Sequence, residues 1–232
     1  RRYLVGYKRG KYNFTDILSL NKMGWMVGLQ MGLETALFSI TGIMIGWLGS
    51  IALAAHQVMV AISTLGFMIY YGVGAAVSVR VSNYFGRQEL LHVRRTTMAG
   101  FHLILCLAVC ACTVFLFSRE LIGYLFTTSE EVIRVVSTLV YILLAYQFGD
   151  ALQITYANSL RGIGDVISMA VISFIGYFLI AMPVCYICGF VLEWGITGIW
   201  IGYPIGLTLT GVMLCGRYYW KLKTKTQSKE FY

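Results

Sequence analysis

Glu34 and Asp150 are two of ten acidic residues, and the only two that fall inside long apolar segments instead of loops or termini. A carboxylate at the centre of a membrane-spanning helix costs roughly 2.5–3.5 kcal/mol on insertion scales, so something must repay it. Tyr146 precedes Asp150 by one helical turn and Gln153 follows it by about one, which places all three on one face. Gln30 lies one turn before Glu34 and Thr41 two turns after it, so the second acid has a polar stripe of its own. Two carboxylates that meet in a poorly hydrated pocket are not both charged cheaply. One holds a proton, or a cation sits between them. Either arrangement couples the pair to an ion gradient. Oxygen donors from two acids, a tyrosine and carbonyls suit a hard monovalent ion such as Na⁺, whereas a desolvated acid suits H⁺. The residues leave that choice open. The plainer reading is two separate acids, each tied into a helix interface as structural glue.

Other groups carry weaker signals. Gln57 is a polar residue inside an apolar span and reads equally as a substrate contact or a helix–helix bond. Gln57, Gln30 and Gln153 are the candidates for substrate contact. Cys185-x-x-Cys188 has metal-like spacing but no second pair, and reads as small packing residues, as do the six cysteines generally. Gly162-Ile163-Gly164 ends an apolar helix instead of following a strand, so it reads as a helix stop, not a phosphate cradle. Gly42 and Gly46 have the four-residue spacing of close helix packing. Pro183 and Pro204 are candidate kinks. His56, His92 and His102 fall on different elements and form no H-E-x-x-H or nucleophile–base pattern, which argues against an enzyme.

These side chains need a frame, and the composition supplies one. The chain has 232 residues, is 58% hydrophobic and 12% charged, with mean hydropathy +0.73. Soluble domains carry about 25% charged residues, so this reads as an integral membrane protein. Six apolar spans are expected at about 24–48, 52–79, 98–117, 132–160, 167–192 and 196–215. Each has about 20 or more residues, enough to cross roughly 30 Å of hydrocarbon as a helix. The fold class is all-α, and the alternation of a membrane barrel is absent. Gly49-Ser50 and Glu193-Trp194-Gly195 read as turns, Thr128-x-x-Glu131 as a capping box, and Phe14, Ile17 and Leu18 as one face of a short surface helix. Residues 1–23 form a basic lead-in and 218–232 a basic aromatic tail. With six spans, 16 of the 18 lysines and arginines lie on one side, leaving Arg119 and Arg134 on the other. The positive side is expected to be cytoplasmic, with both ends of the segment there. The formal charge of +8 is thus a topology signal and not a nucleic-acid face. Glu34 lies ten residues into the first span and Asp150 eleven residues before Arg161 at the end of the fourth. At 1.5 Å per residue both are about 15 Å deep, near the bilayer midplane.

Four stretches carry a resemblance: LETALFSITGIMIGWLGSIALAAHQV, VRVSNYFGRQ, YQFGDALQITYANSLRGIGD and GITGIWIGYPIGL. In order and spacing they resemble the C-terminal half of the multidrug and toxic compound extrusion (MATE) family, NorM-like branch. The likeness runs from about Lys22 to Arg217. It implies one six-helix lobe of a twelve-helix transporter, with residues 1–23 as the interlobe loop and an N-terminal lobe as partner. It implies a plasma-membrane antiporter that exports organic cations against an inward flow of Na⁺ or H⁺, with no other cofactor and with lipid around it. Glu34, Asp150 and Tyr146 match the family's cation-site residues, and Gln57 a glutamine that can contact drug. Phe67 stands where some members have a cation-contacting tyrosine. The alternatives are a lipid-linked sugar flippase of related fold, which should carry more cationic residues in its spans, and a six-helix carrier acting as a homodimer.

Overall fold

The computed structural model describes residues 14–230. Among them there is no strand, and six helices are long and apolar enough to cross a membrane. We number the helices α1 (Phe14–Gly46), α2 (Ser50–Gly86), α3 (Leu90–Phe117), α4 (Arg119–Phe126), α5 (Glu130–Gly162), α6 (Val166–Val191) and α7 (Gly195–Glu230). All but the short α4 correspond to the six expected spans.

The helices outrun the hydropathy at one end of the bundle. α1 starts at Phe14 instead of about 24, so Phe14, Ile17 and Leu18 belong to the first spanning helix and not to a separate surface helix; all three are exposed. α2 continues to Gly86 and α3 begins at Leu90, so the polar stretch after residue 79 is two helix ends around a three-residue turn, with Gln88 at φ 63°. α7 continues to Glu230, and its extra turns are part of the lobe: Tyr218 is buried and shares a hydrogen bond with Thr97 at 2.7 Å. Hydropathy marks where lipid begins, whereas a helix ends only where its backbone bonds stop, so the two limits need not coincide. Of the lead-in, residues 1–13 lie outside the described residues.

The turns follow the sequence. Gly49 at φ 115° reverses the chain between α1 and α2, and Glu193 and Gly195, both near φ 57°, reverse it before α7. α5 stops at Gly162, and Gly164 at φ 77° sends its N–H back to Arg161 and that of Asp165 back to Leu160. The expected capping box at Thr128 does not form. The helix starts one residue later, with Ser129 at its N-terminus and no side-chain cap; Thr127 Oγ1 instead accepts the Ser129 N–H at 3.2 Å.

α5 is the central pillar, packed against α2, α3, α4 and α7. Leu139, Leu143, Trp200 and Tyr203 fill the core towards its N-terminal end, and Tyr156, Leu160, Met169 and Tyr218 towards its C-terminal end. Outside, Trp25, Ile43, Leu65, Leu125 and Leu179 are exposed. Such a surface suits lipid, where side chains need no burial against protein.

α6 and α7 approach closely because α7 carries Gly198, Gly202 and Gly206 on one stripe. A Cβ on Gly198 would fall 2.2 Å from the Cys188 carbonyl oxygen, on Gly202 2.3 Å from Cys185 Sγ, and on Gly206 2.3 Å from Ala181 Cβ. The cysteine pair is therefore packing, as its spacing without a second pair implied. The glycines expected to pack do less: Gly42 has only the His56 ring at 3.4 Å, and Gly46 has nothing within 4 Å. α6 loosens into π-helical turns at Ile175–Ala181 and Ile187–Val191, on both sides of Pro183. Proline removes a backbone donor, and wider turns re-route the freed carbonyls.

Candidate functional site

Glu34 reaches inward from α1 and gathers donors from three helices. Gln30 Nε2, one turn earlier, donates to Glu34 Oε2 at 3.3 Å. Gln153 Nε2 of α5 donates to the same oxygen at 3.4 Å, and the Tyr177 hydroxyl of α6 does so at 3.2 Å. Gln153 Nε2 also donates to Tyr177 OH, so the three polar groups form one network around the carboxylate. Every donor is neutral, and no lysine or arginine bonds to Glu34 among the described residues. Tyr177 lies in the first π-helical stretch of α6, with its ring fully buried.

Asp150 has the opposite environment. It is 0% exposed, and neither carboxylate oxygen has a hydrogen-bond partner among the described residues. It lies within electrostatic reach of Glu34, and Tyr146 lies within reach of both acids. The two acids, on α1 and α5, are thus within electrostatic reach of one another.

Glu34 is partly exposed, and it opens into a cleft of about 250 Å³ between α1, α2 and α5. Tyr146, Phe67, Met31 and Phe38 line this cleft, and Thr35, Ser63 and Thr64 add hydroxyls. An apolar, aromatic wall with a carboxylate set into it can take a flat organic cation. Phe67 brings no oxygen to that wall.

The glutamines separate. Gln30 and Gln153, expected to touch substrate, are buried, and their amide N–H groups are turned to Glu34. Gln57 is exposed and does not line the cleft at Glu34; it lies in a neighbouring hollow of about 540 Å³ with His56, Gly42 and Leu53. Thr35, Phe38 and Val60 line both hollows, so the two are continuous. Tyr177 is the residue that sequence reasoning missed. Its signal was available: it lies twelve residues beyond Asp165, at the depth of the two acids.

Asp165 shows how this fold treats an ordinary buried acid. It stands at the start of α6 and accepts bonds from Arg217 Nε and Ser168 Oγ, both at 2.8 Å, with Lys221 Nζ at 3.8 Å. Burial pushes its carboxyl up, but the bonds from Arg217 and Ser168 and the charges of Lys221 and Arg217 outweigh it, so the pKa lies below the usual value.

Known proteins place this arrangement. The chain is 34% identical to the multidrug resistance protein NorM of Photobacterium profundum, over 93% of this chain and 47% of that protein. It is 32% identical to the NorM of Vibrio cholerae, over 90% of this chain and 47% of that protein. The chain spans about half the length of these curated relatives. Its fold is similar to the crystal structure of the eukaryotic MATE transporter AtDTX14, with TM-score 0.83 at 20% identity, over 94% of this chain and 51% of that one. It is also similar to a MATE crystallised in complex with MaL6, with TM-score 0.86 at 14% identity, over 94% and 49%. The MatE family model matches residues 27–187. With six helices long and apolar enough to cross a membrane, and matched over most of its length by that model, the chain belongs to the MatE family of transporters.

Proposed function

We propose that this chain is the ion-coupling lobe of a multidrug antiporter that exports organic cations in exchange for Na⁺ or H⁺. The relatives named as multidrug resistance proteins support the class of cargo. In this reading a second six-helix lobe completes the transporter. The positive face lies in the cytoplasm of a cell bounded by the plasma membrane. The arginine-poor spans give no support to a sugar-pyrophosphate flippase.

One observation carries the coupling: among the described residues Asp150 is buried with both oxygens unpartnered, within electrostatic reach of a Glu34 held only by neutral donors. A buried acid left in this way needs a positive companion, and a migrating ion is one that can come and go. Asp150 and Tyr146 supply oxygens for Na⁺, with the second oxygen of Glu34 in reserve; the same carboxyl can instead take a proton. The ion is cargo, so its arrival and departure are transport steps. Glu34 opens to the drug cleft, so charge in the pocket and cation in the cleft compete. Ion binding from outside weakens drug binding, drug leaves, and the lobes return with the ion. Each ligand moves this equilibrium only through its unequal affinity for the two states. Asp150→Asn in the complete protein, reconstituted in vesicles, is expected to abolish gradient-driven efflux of ethidium. Wild-type efflux from that variant would remove the mechanism.

A further inference from the structure

Glu34 faces two openings. Besides the drug cleft, a narrow crevice runs along α5 towards its C-terminal end, lined by Gln30, Gln153, Tyr71, Asn158 and Arg161. Arg161 closes the far end. It stands eight residues beyond Gln153 on the same helix, a rise of about 12 Å.

An arginine in the last turn of a spanning helix ordinarily stretches its stem towards water. Arg161 turns inward. Its Nη1 donates to Tyr71 OH at 3.2 Å and to Asn158 Oδ1 at 3.3 Å. Its guanidinium carbon lies 5.9 Å from the Tyr71 ring centroid. Its Nε is buried without a hydrogen-bond partner among the described residues. Both acceptors are themselves held: Tyr71 OH donates to Met31 Sδ at 3.8 Å, and Asn158 Nδ2 to the Ile154 carbonyl at 2.9 Å. No carboxylate pairs with this guanidinium among the described residues. A neutral glutamine would fill the same place without desolvating a charge, so the charge is the feature to explain.

We propose that Arg161, anchored by Tyr71 and Asn158, is an electrostatic gate between Glu34 and the positive end of the lobe. Its charge holds back the coupling cation on that side until the side chain swings out. The inference rests on Glu34 belonging to the ion site. A unit charge on the order of 10 Å away, at an effective dielectric of about 20, changes a cation's occupancy on the order of tenfold. That factor is the leak the gate suppresses.

The test uses the complete protein in liposomes with no organic cation present. Entry of ²²Na⁺ is followed in one arm and of protons, by trapped pyranine, in the other. Arg161→Gln is expected to raise entry of one of the two ions about tenfold, Arg161→Lys to stay near wild type, and Tyr71→Phe to raise entry by less. The double variant Glu34→Gln/Arg161→Gln should return to the wild-type rate, because the route ends at the carboxylate. Wild-type entry of both ions in an Arg161→Gln protein of unchanged melting temperature overturns the gate. Equal leaks in Arg161→Gln and Arg161→Lys also overturn it, since packing and not charge would then be the cause. Should Arg161→Gln not fold, Tyr71→Phe decides: a raised leak supports the gate and a wild-type rate overturns it. Failure of the ion site itself looks different, as Glu34→Gln and Asp150→Asn would then keep gradient-driven efflux whatever the leak.

Discussion

Asp150 and Asp165 are fifteen residues apart, and both are largely buried, yet their surroundings differ in kind. Asp165 has Arg217, Lys221 and Ser168 around it. Among the described residues Asp150 has no donor and no basic side chain, and the one charged group within electrostatic reach is a second acid. An acid with fixed cationic partners has been given its countercharge by the fold, and it ties α5, α6 and α7 together. An acid whose only charged neighbour has the same sign is left to find its countercharge elsewhere. Burial alone does not mark a working carboxylate; the missing fixed partner does.

The comparison breaks most visibly in transport. Asp150→Asn should cut gradient-driven efflux at least about a hundredfold while the melting temperature stays within a few degrees, since the amide replaces an unpartnered acid at equal volume. A lesion in pure packing should do the reverse. Gly198→Ala drives a Cβ against the Cys188 carbonyl and should cost about 1–3 kcal/mol by thermal unfolding, with coupling intact in the folded fraction. Gly46→Ala, which meets nothing, should be within about 0.5 kcal/mol of wild type.

Asp165→Asn should resemble the packing lesion and not Asp150→Asn. It leaves Arg217 without its acid and should cost about 1–3 kcal/mol. The pH dependence has a definite sign. The folded carboxyl lies below its ordinary value, so its stabilisation is present above about pH 4 and is lost as pH falls through the folded value. Wild type and variant should therefore converge in melting temperature below about pH 4. A constant gap down to pH 3 would show that the ion pairs carry none of it. The smallest effect is Tyr177→Phe. Loss of one neutral bond that stabilises the ion-free Glu34 carboxylate, about 1 kcal/mol, should strengthen apparent ion affinity about fivefold without abolishing efflux.

Much of this was legible before any coordinates. The six spans followed from runs of apolar residues. Electrostatic reach between Glu34 and Asp150 was expected from their like positions in two spans, because a membrane fixes one coordinate of every spanning residue. What escaped was the other coordinate, the rotation of each helix. Tyr177 looked like any tyrosine in an apolar run until α6 turned it onto Glu34. Gln57 read equally as a substrate contact or a helix–helix bond until α2 turned it into the neighbouring hollow. Gly46 and Gly198 have the same spacing signal, and only the partner helix tells which one is needed. Asp165 and its cations are more than fifty residues apart in the chain. The helix ends were misjudged for a separate reason: charge and polarity end a membrane segment but not an α-helix, and α1, α2, α3 and α7 run on past the apolar zone.

Ion uptake by the purified protein reaches the central claim most directly. With Na⁺ titrated at fixed pH, and protons counted in unbuffered solution at fixed Na⁺, the wild-type protein should bind one ion that Asp150→Asn does not, while Asp165→Asn binds it as wild type does. Undiminished uptake by Asp150→Asn would contradict the account, because the acid left without a fixed partner would then not be the one that holds the ion.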